Sequence, residues 1–213
     1  MPNETDRAIN ACDSPAQAIE KADIAVGRVL ATHRNHPVVR WCCGVGEVGD
    51  QGPLYIIGAS IVATGILRKS PHCLLAGISM LAAVGVADVT KRSIKKLVKR
   101  SRPNHLLDEG NYEFEVGGSP KKIEQSFPSG HVAGTVAAAG ILSRFYPTTA
   151  GYTNMATGII TLSRIVKGRH WPLDVAAGFV VGRAASGVVL YLLFNVFRSW
   201  MAKPVRRKID HLR

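Results

Sequence analysis

The sequence predicts an all-α fold, an integral membrane helical bundle of about five transmembrane helices preceded by an N-terminal amphipathic helix. Three observations predict it. Apolar residues gather in five runs that carry few charges. Those runs are rich in Gly, Ala, Ser and Thr, the small residues that let membrane helices pack closely. The basic residues gather between the runs and at the C-terminus, as they do at the flanks of membrane spans.

The 213 residues suffice for one domain. Lys and Arg number 27 against 15 Asp and Glu, a net charge of +12, yet 46% of the residues are hydrophobic. A soluble nucleic-acid binder would interleave its basic residues with polar and aromatic ones. The segregation seen here excludes that class, and no nucleic-acid partner is expected. Cys12, Cys42, Cys43 and Cys73 have no zinc-site spacing and are read as apolar filler. The first fifteen residues lack a basic n-region followed by an apolar h-region, so no cleavable signal peptide is expected.

Residues 1–15 are polar and read as a disordered N-terminus. Residues 16–40 set Ile19, Ile24, Val26, Val29 and Leu30 among charges, which gives an amphipathic helix. It lies either on the bilayer surface or against the protein's own core. Residues 41–53 are glycine-rich and read as a loop or a loose helix entry. The five apolar stretches are 54–67, 72–90, 131–146, 150–166 and 173–197. A span of hydrocarbon needs about 20 residues, so the first must recruit residues 48–53. The charges within or at the ends of these stretches, Asp88, Arg144, Arg164, Asp174 and Arg183, belong near helix ends or in the bundle interior. The whole of 16–197 forms one membrane domain, and 198–213 a basic cytoplasmic tail. That tail orients the chain by the positive-inside rule. The opposite face, where stretches 72–90, 131–146 and 150–166 open, is then extracytoplasmic.

Three clusters lie on that opposite face. KKLVKRSRP contains Lys95 and Arg102, PSGH runs from Pro128 to His131, and SRIVKGRHWPLD holds Arg164, His170 and Asp174. Each alone has a plain structural reading: a lipid-touching basic patch, a helix cap, a structural hydrogen bond. Together they supply cations, a helix N-terminus and two histidines, one with a carboxylate four residues on. That set suits phosphoryl transfer, which needs a nucleophile, an acid for the leaving oxygen and donors around the equatorial oxygens. Lys95, Arg102 and Arg164 give positive charge, and the arginines can grip phosphate bidentately. Ser129 offers a hydroxyl, and the N–H groups near Gly130 open a helix toward an anion. Asp174 can accept a hydrogen bond from His170 and fix its tautomer. No acidic cluster for a divalent metal accompanies these motifs, so neither metal nor other cofactor is expected.

The order and spacing of Lys95, Arg102-Pro103, Pro128-Ser129-Gly130-His131, Ser163-Arg164, His170 and Asp174 resembles the three-part signature of the type 2 phosphatidic acid phosphatase superfamily. The resemblance implies that His170 attacks phosphorus, Asp174 orients it and His131 protonates the leaving oxygen. It implies that Lys95, Arg102, Ser129, Gly130 and Arg164 hold the phosphate. It settles nucleophile against acid, which the residues alone leave open. Membrane members often have six spans, and only five are legible here.

The expectation is a multi-pass inner-membrane phosphatase acting on a lipid phosphate, either phosphatidic acid or a polyprenyl phosphate or diphosphate. The alternatives are an acid phosphatase or vanadate-dependent haloperoxidase on the same scaffold, a lipid phosphotransferase, or a lipid-binding protein without catalysis. The connector 104–127, with Leu106, Leu107, Tyr112 and Phe114, either reads the substrate or is an ordinary surface loop.

Overall fold

Ser14 starts the first helix. Its hydroxyl accepts the Gln17 N–H at 3.3 Å while the Gln17 side chain accepts the Ser14 N–H at 2.9 Å, a reciprocal cap before Pro15. The structure, a computed structural model, describes residues 14–37, 39, 44 and 47–210, with side chains to 196. In chain order its elements are α1 (Pro15–Ala31), α2 (Gln51–Leu67), α3 (Pro71–Lys95), β1 (Val98–Arg100), α4 (Pro103–Glu109), β2 (Phe114–Val116), α5 (Gly130–Phe145), α6 (Ala150–Val166) and α7 (Pro172–Asp210). Residues 1–13 and, within the glycine-rich stretch 41–53, residues 41–43, 45 and 46 lie outside the described residues, so Cys12, Cys42 and Cys43 do too.

The bundle is built around α5. This helix is made almost wholly of small apolar residues, and Val132 through Ala139 and Ile141 are all buried. α3 and α7 pack against it and against each other, with α2 paired to α3 and α6 leaning on α5. The core joins Met80, Ala83, Val84 and Ala87 of α3 to Ala133, Ala137 and Ile141 of α5 and Val181 and Ala185 of α7. Close approach between α5 and α7 depends on Gly178 and Gly182, one turn apart on one face. A Cβ at either would stand 2.6 Å from the Ser129 carbonyl oxygen or 2.5 Å from that of Ala133. Helix backbones can meet so closely only across such small residues.

The five apolar stretches all form helices, but not five helices of spanning length. α3, of 25 residues, and residues Pro172–Val196 of α7 are long and apolar enough to cross a membrane. α2 and α6 have 17 residues and α5 has 16. At 1.5 Å per residue these reach about 24–26 Å, short of a hydrocarbon core of about 30 Å. α7 also runs on without a break to Asp210, so the backbone of the basic segment 198–210 continues the last helix.

Two features differ from an all-helical reading. β1 and β2 pair antiparallel, Val98 opposite Val116 and Arg100 opposite Phe114, and α4 stands between them. Strands of three residues carry too little alternation to be read from sequence. The connector 104–127 is therefore stitched to the body: Ser101 N–H donates to Glu113 O at 2.9 Å, Arg102 N–H to Ile123 O at 3.1 Å and Ser126 N–H to Arg100 O at 3.0 Å. Meanwhile α1 packs on the protein itself. It turns Asp23, Gly27 and Ala31 inward, four residues apart, and leaves Ile19, Val26 and Val29 exposed. Gly27 lies against the fully buried Trp171, where a Cβ would come within 2.5 Å of the indole.

Candidate active site

All three sequence clusters converge at one end of the bundle. Lys95 closes α3, and its ammonium donates to the Gln125 carbonyl. Arg102 precedes Pro103 as the N-cap of α4. Ser129 caps α5 without using its hydroxyl for the cap, and its own N–H donates to the Asp174 carbonyl at 2.9 Å. Gly130 and His131 open α5. Arg164 sits in the last turn of α6, His170 in the turn between α6 and α7, and Asp174 in the first turn of α7. The α6–α7 turn is fixed by its backbone: His170 N–H donates to the Arg164 carbonyl at 3.2 Å, and Gly168 takes a left-handed φ of +67°.

Buried polar atoms ordinarily find partners, since leaving one unpaired costs about 1–3 kcal/mol. Here Arg102 Nε, Ser129 Oγ, His131 Nε2 and Arg164 Nη2 are buried and have no hydrogen-bond partner among the described residues. They come from three places in the chain, and each belongs to a motif singled out above. His131 is close enough to interact electrostatically with Arg164 and His170, and His170 with Arg102 and Lys95. Such a concentration of unspent donors and cations is complementary to an oxyanion.

His170 is 4% exposed, and its Nδ1 lies 2.8 Å from the Ser126 carbonyl oxygen. Asp174 Oδ2 lies 3.7 Å from the same nitrogen, beyond hydrogen-bonding distance. The Ser126 carbonyl therefore takes the hydrogen bond that sequence reasoning gave to the carboxylate. With the proton on Nδ1, the lone pair is on Nε2. Burial pulls the His170 pKa below its usual 6.5, opposed by Asp174, so the ring is neutral near pH 7.

Asp174 is itself heavily held. Oδ2 accepts from Ser126 Oγ at 2.5 Å and from the Trp171 N–H at 2.9 Å, while Arg100 Nη1 donates to Oδ1 at 2.7 Å. The other arm of Arg100 meets Asp23 of α1 at 2.5 Å, and Asp23 Oδ1 accepts the Leu173 N–H at 2.8 Å. These three charged side chains are at most 2% exposed. Tyr112 completes the cluster, accepting from Arg100 Nε at 3.3 Å and donating to Glu20 at 2.6 Å. Tyr112 is thus tied into the body rather than free to read a substrate.

Sequence reasoning missed Asp23, Arg100 and Ser126, and it also missed Lys91, Glu47 and Asp50. A Cβ on Gly130 would stand 2.9 Å from Lys91 Nζ, which puts a further cation beside the α5 N-terminus. Glu47 bridges Lys167 at 2.9 Å and Arg164 at 3.5 Å. The Lys167 hydrogen bond leads in holding its carboxyl below the usual 4.5. No single-sequence signal marks Asp23, which lies 77 positions from its partner Arg100.

The PAP2 superfamily model matches residues 76–198. The decaprenylphosphoryl-5-phosphoribose phosphatase of Mycobacterium tuberculosis is 31% identical over 172 residues, covering 81% of this chain and 85% of that one. The first transmembrane PAP2 type phosphatidylglycerolphosphate phosphatase from Bacillus subtilis superposes with a TM-score of 0.62 at 22% identity, over 89% of this chain and 90% of that one. LpxE of Aquifex aeolicus superposes with a TM-score of 0.59 at 21% identity, over 78% and 93%. A profile covering more than half of the chain and a relative matched along most of both lengths agree, and the protein belongs to the PAP2 superfamily.

Proposed function

We propose that the protein is a membrane lipid phosphatase that hydrolyses a phosphoester on a polyprenyl-type lipid through a phosphohistidine, without a metal ion. The observation that carries this reading is the pairing of His170 Nδ1 with a backbone carbonyl while Ser129 Oγ, Arg102 Nε and Arg164 Nη2 stay unspent. His170 Nε2 attacks phosphorus, and an N–P bond forms as the ester P–O bond breaks. Arg102, Arg164, Lys95, Ser129 and the N–H groups at Gly130 take up the charge on the phosphoryl oxygens. His131 gives its Nε2 proton to the departing alkoxide. Water then attacks phosphorus with His131 accepting its proton, the N–P bond breaks, and inorganic phosphate leaves. Asp174 acts electrostatically, stabilising the positive charge that grows on His170.

The lipid reading is supported by the M. tuberculosis relative, whose name gives a lipid-linked sugar phosphate as its substrate. It is also supported by the apolar residues that the bundle leaves exposed. Ile56, Ile57 and Ile66 of α2, Met155, Ile159 and Leu162 of α6, and Phe179, Val180, Val188 and Leu192 of α7 all face outward. So much exposed apolar surface suits a bilayer better than water. On this reading α2, α3, α5, α6 and α7 are seated in the inner membrane, and the site opens on the extracytoplasmic side.

The test is phosphate release by detergent-purified protein in excess chelator, with His170→Ala alongside. Release that persists with chelator and disappears in the variant supports the mechanism. Loss of activity on chelation, or turnover by His170→Ala, overturns it.

A further inference from the structure

Two carboxylates that belong to none of the motifs stand beside His131. Glu47 Oε2 lies 3.7 Å and Asp50 Oδ1 3.8 Å from His131 Nε2. Both side chains are about half exposed, at 52% and 58%. Each is held in place. Lys167 and Arg164 hold the other oxygen of Glu47, while Asp50 Oδ1 accepts the Gln51 N–H at 2.9 Å as the N-cap of α2. Negative charge at the rim of an anion site opposes binding of that anion, so its presence calls for a role.

His131 Nε2 is the atom that, on the reading proposed above, meets the leaving oxygen. Whatever departs with that oxygen therefore passes within reach of both carboxylates. We infer that Glu47 and Asp50 select the leaving group, favouring one that presents sugar hydroxyls beside the departing oxygen and rejecting one in which a second phosphate is bonded directly to that oxygen. This rests on the phosphatase reading and narrows it to phosphomonoesters. Sugar hydroxyls can donate to the carboxylates, and such charge-assisted bonds are the stronger kind. A diphosphate would instead bring its second phosphoryl charge against them. Two unit charges about 4 Å apart shift an equilibrium roughly fivefold in bulk water and up to ~10³-fold at the dielectric near a protein surface. The half-exposed setting places the effect toward the lower end, roughly tenfold. Lys167 and Arg164 offset much of the charge on Glu47. Asp50 has no Lys or Arg partner among the described ion pairs, so it contributes the larger share.

The experiment compares three substrates on detergent-purified protein: a prenyl-phosphoryl ribose 5-phosphate, a prenyl monophosphate and the prenyl diphosphate of equal chain length. Wild type is expected to favour the sugar phosphate over the diphosphate in kcat/KM. Asp50→Asn, which retains an N-cap side chain, combined with Glu47→Gln is expected to narrow that ratio at least about tenfold. Raising sodium chloride toward 1 M should narrow the wild-type ratio as well, a readout that does not depend on any variant folding. A wild type that prefers the diphosphate overturns the inference. So does a double variant that lowers all three activities by one factor, or a ratio that ignores salt. Release from none of the three substrates by folded wild type overturns the phosphatase reading, and the selector with it. Release with an unmoved ratio overturns the selector alone.

Discussion

His170 Nδ1 lies 2.8 Å from the carbonyl oxygen of Ser126, and that backbone atom, not Asp174, takes the hydrogen bond. The neutral ring that results has its lone pair on Nε2. Burial lowers the pKa of His170 from 6.5, so the proposed nucleophile stays unprotonated into mild acid. The acid limb of kcat/KM assigned to His170 is therefore expected below pH 6.5. A pH–rate profile checks this, and a limb at or above 6.5 contradicts it. The same group links stability to pH. The folded state binds fewer protons there than the unfolded chain, so its contribution is full above about pH 6.5 and is lost as pH falls toward the lowered value.

Asp174→Asn keeps the shape of the side chain and removes its charge. Because Ser126 holds the tautomer, the loss should fall on the charged transition state. A drop in kcat of about 10²–10⁴ with little change in KM is expected, from steady-state kinetics on protein whose thermal melt shows it folded. A larger change in KM than in kcat would place Asp174 in substrate binding instead.

Arg100 neutralises two buried carboxylates at once, Asp23 at 2.5 Å and Asp174 at 2.7 Å. Arg100→Met strands both, which costs about 3–5 kcal/mol by the usual penalty for a broken buried pair. Denaturation in detergent should show that loss, and adding Asp23→Leu should recover part of it. If the double variant is no better than the single, the three groups do not act as one network.

Arg102→Lys replaces a planar fork with a point charge. Inorganic phosphate, as a product inhibitor, should bind about tenfold more weakly, the scale of one charge-assisted hydrogen bond. Inhibition constants measure this, and an unchanged constant removes Arg102 from the phosphate pocket.

Gly182→Leu tests the core rather than the chemistry. Even its Cβ would stand 2.5 Å from the Ala133 carbonyl, a backbone atom that cannot rotate away. Overpacking of this kind costs about 1–3 kcal/mol or more, read as a fall in melting temperature. The outward-facing Leu192→Ala should leave the melting temperature nearly unchanged by comparison.

Five apolar helices, the order of the motifs and the family they point to are legible along the chain. These are local properties. Apolar runs report burial in core or lipid, PSGH at a helix entry reports a cap, and the spacing of Arg164, His170 and Asp174 is fixed by one turn between two helices. The tertiary structure alone decided what surrounds those residues. Asp23 reaches Arg100 across 77 positions, Ser126 supplies a carbonyl to a histidine 44 residues on, and Glu47 and Asp50 arrive beside His131 from before α2. Each of these contacts depends on where a helix or turn docks, and docking is set by packing, such as the close approach at Gly178 and Gly182, rather than by any pattern along the chain. The same packing decided that α1 turns its small and acidic residues inward. Gly27 admits the ring of Trp171, and Asp23 finds a cation there, so the apolar stripe of Ile19, Val26 and Val29 is the one left outside.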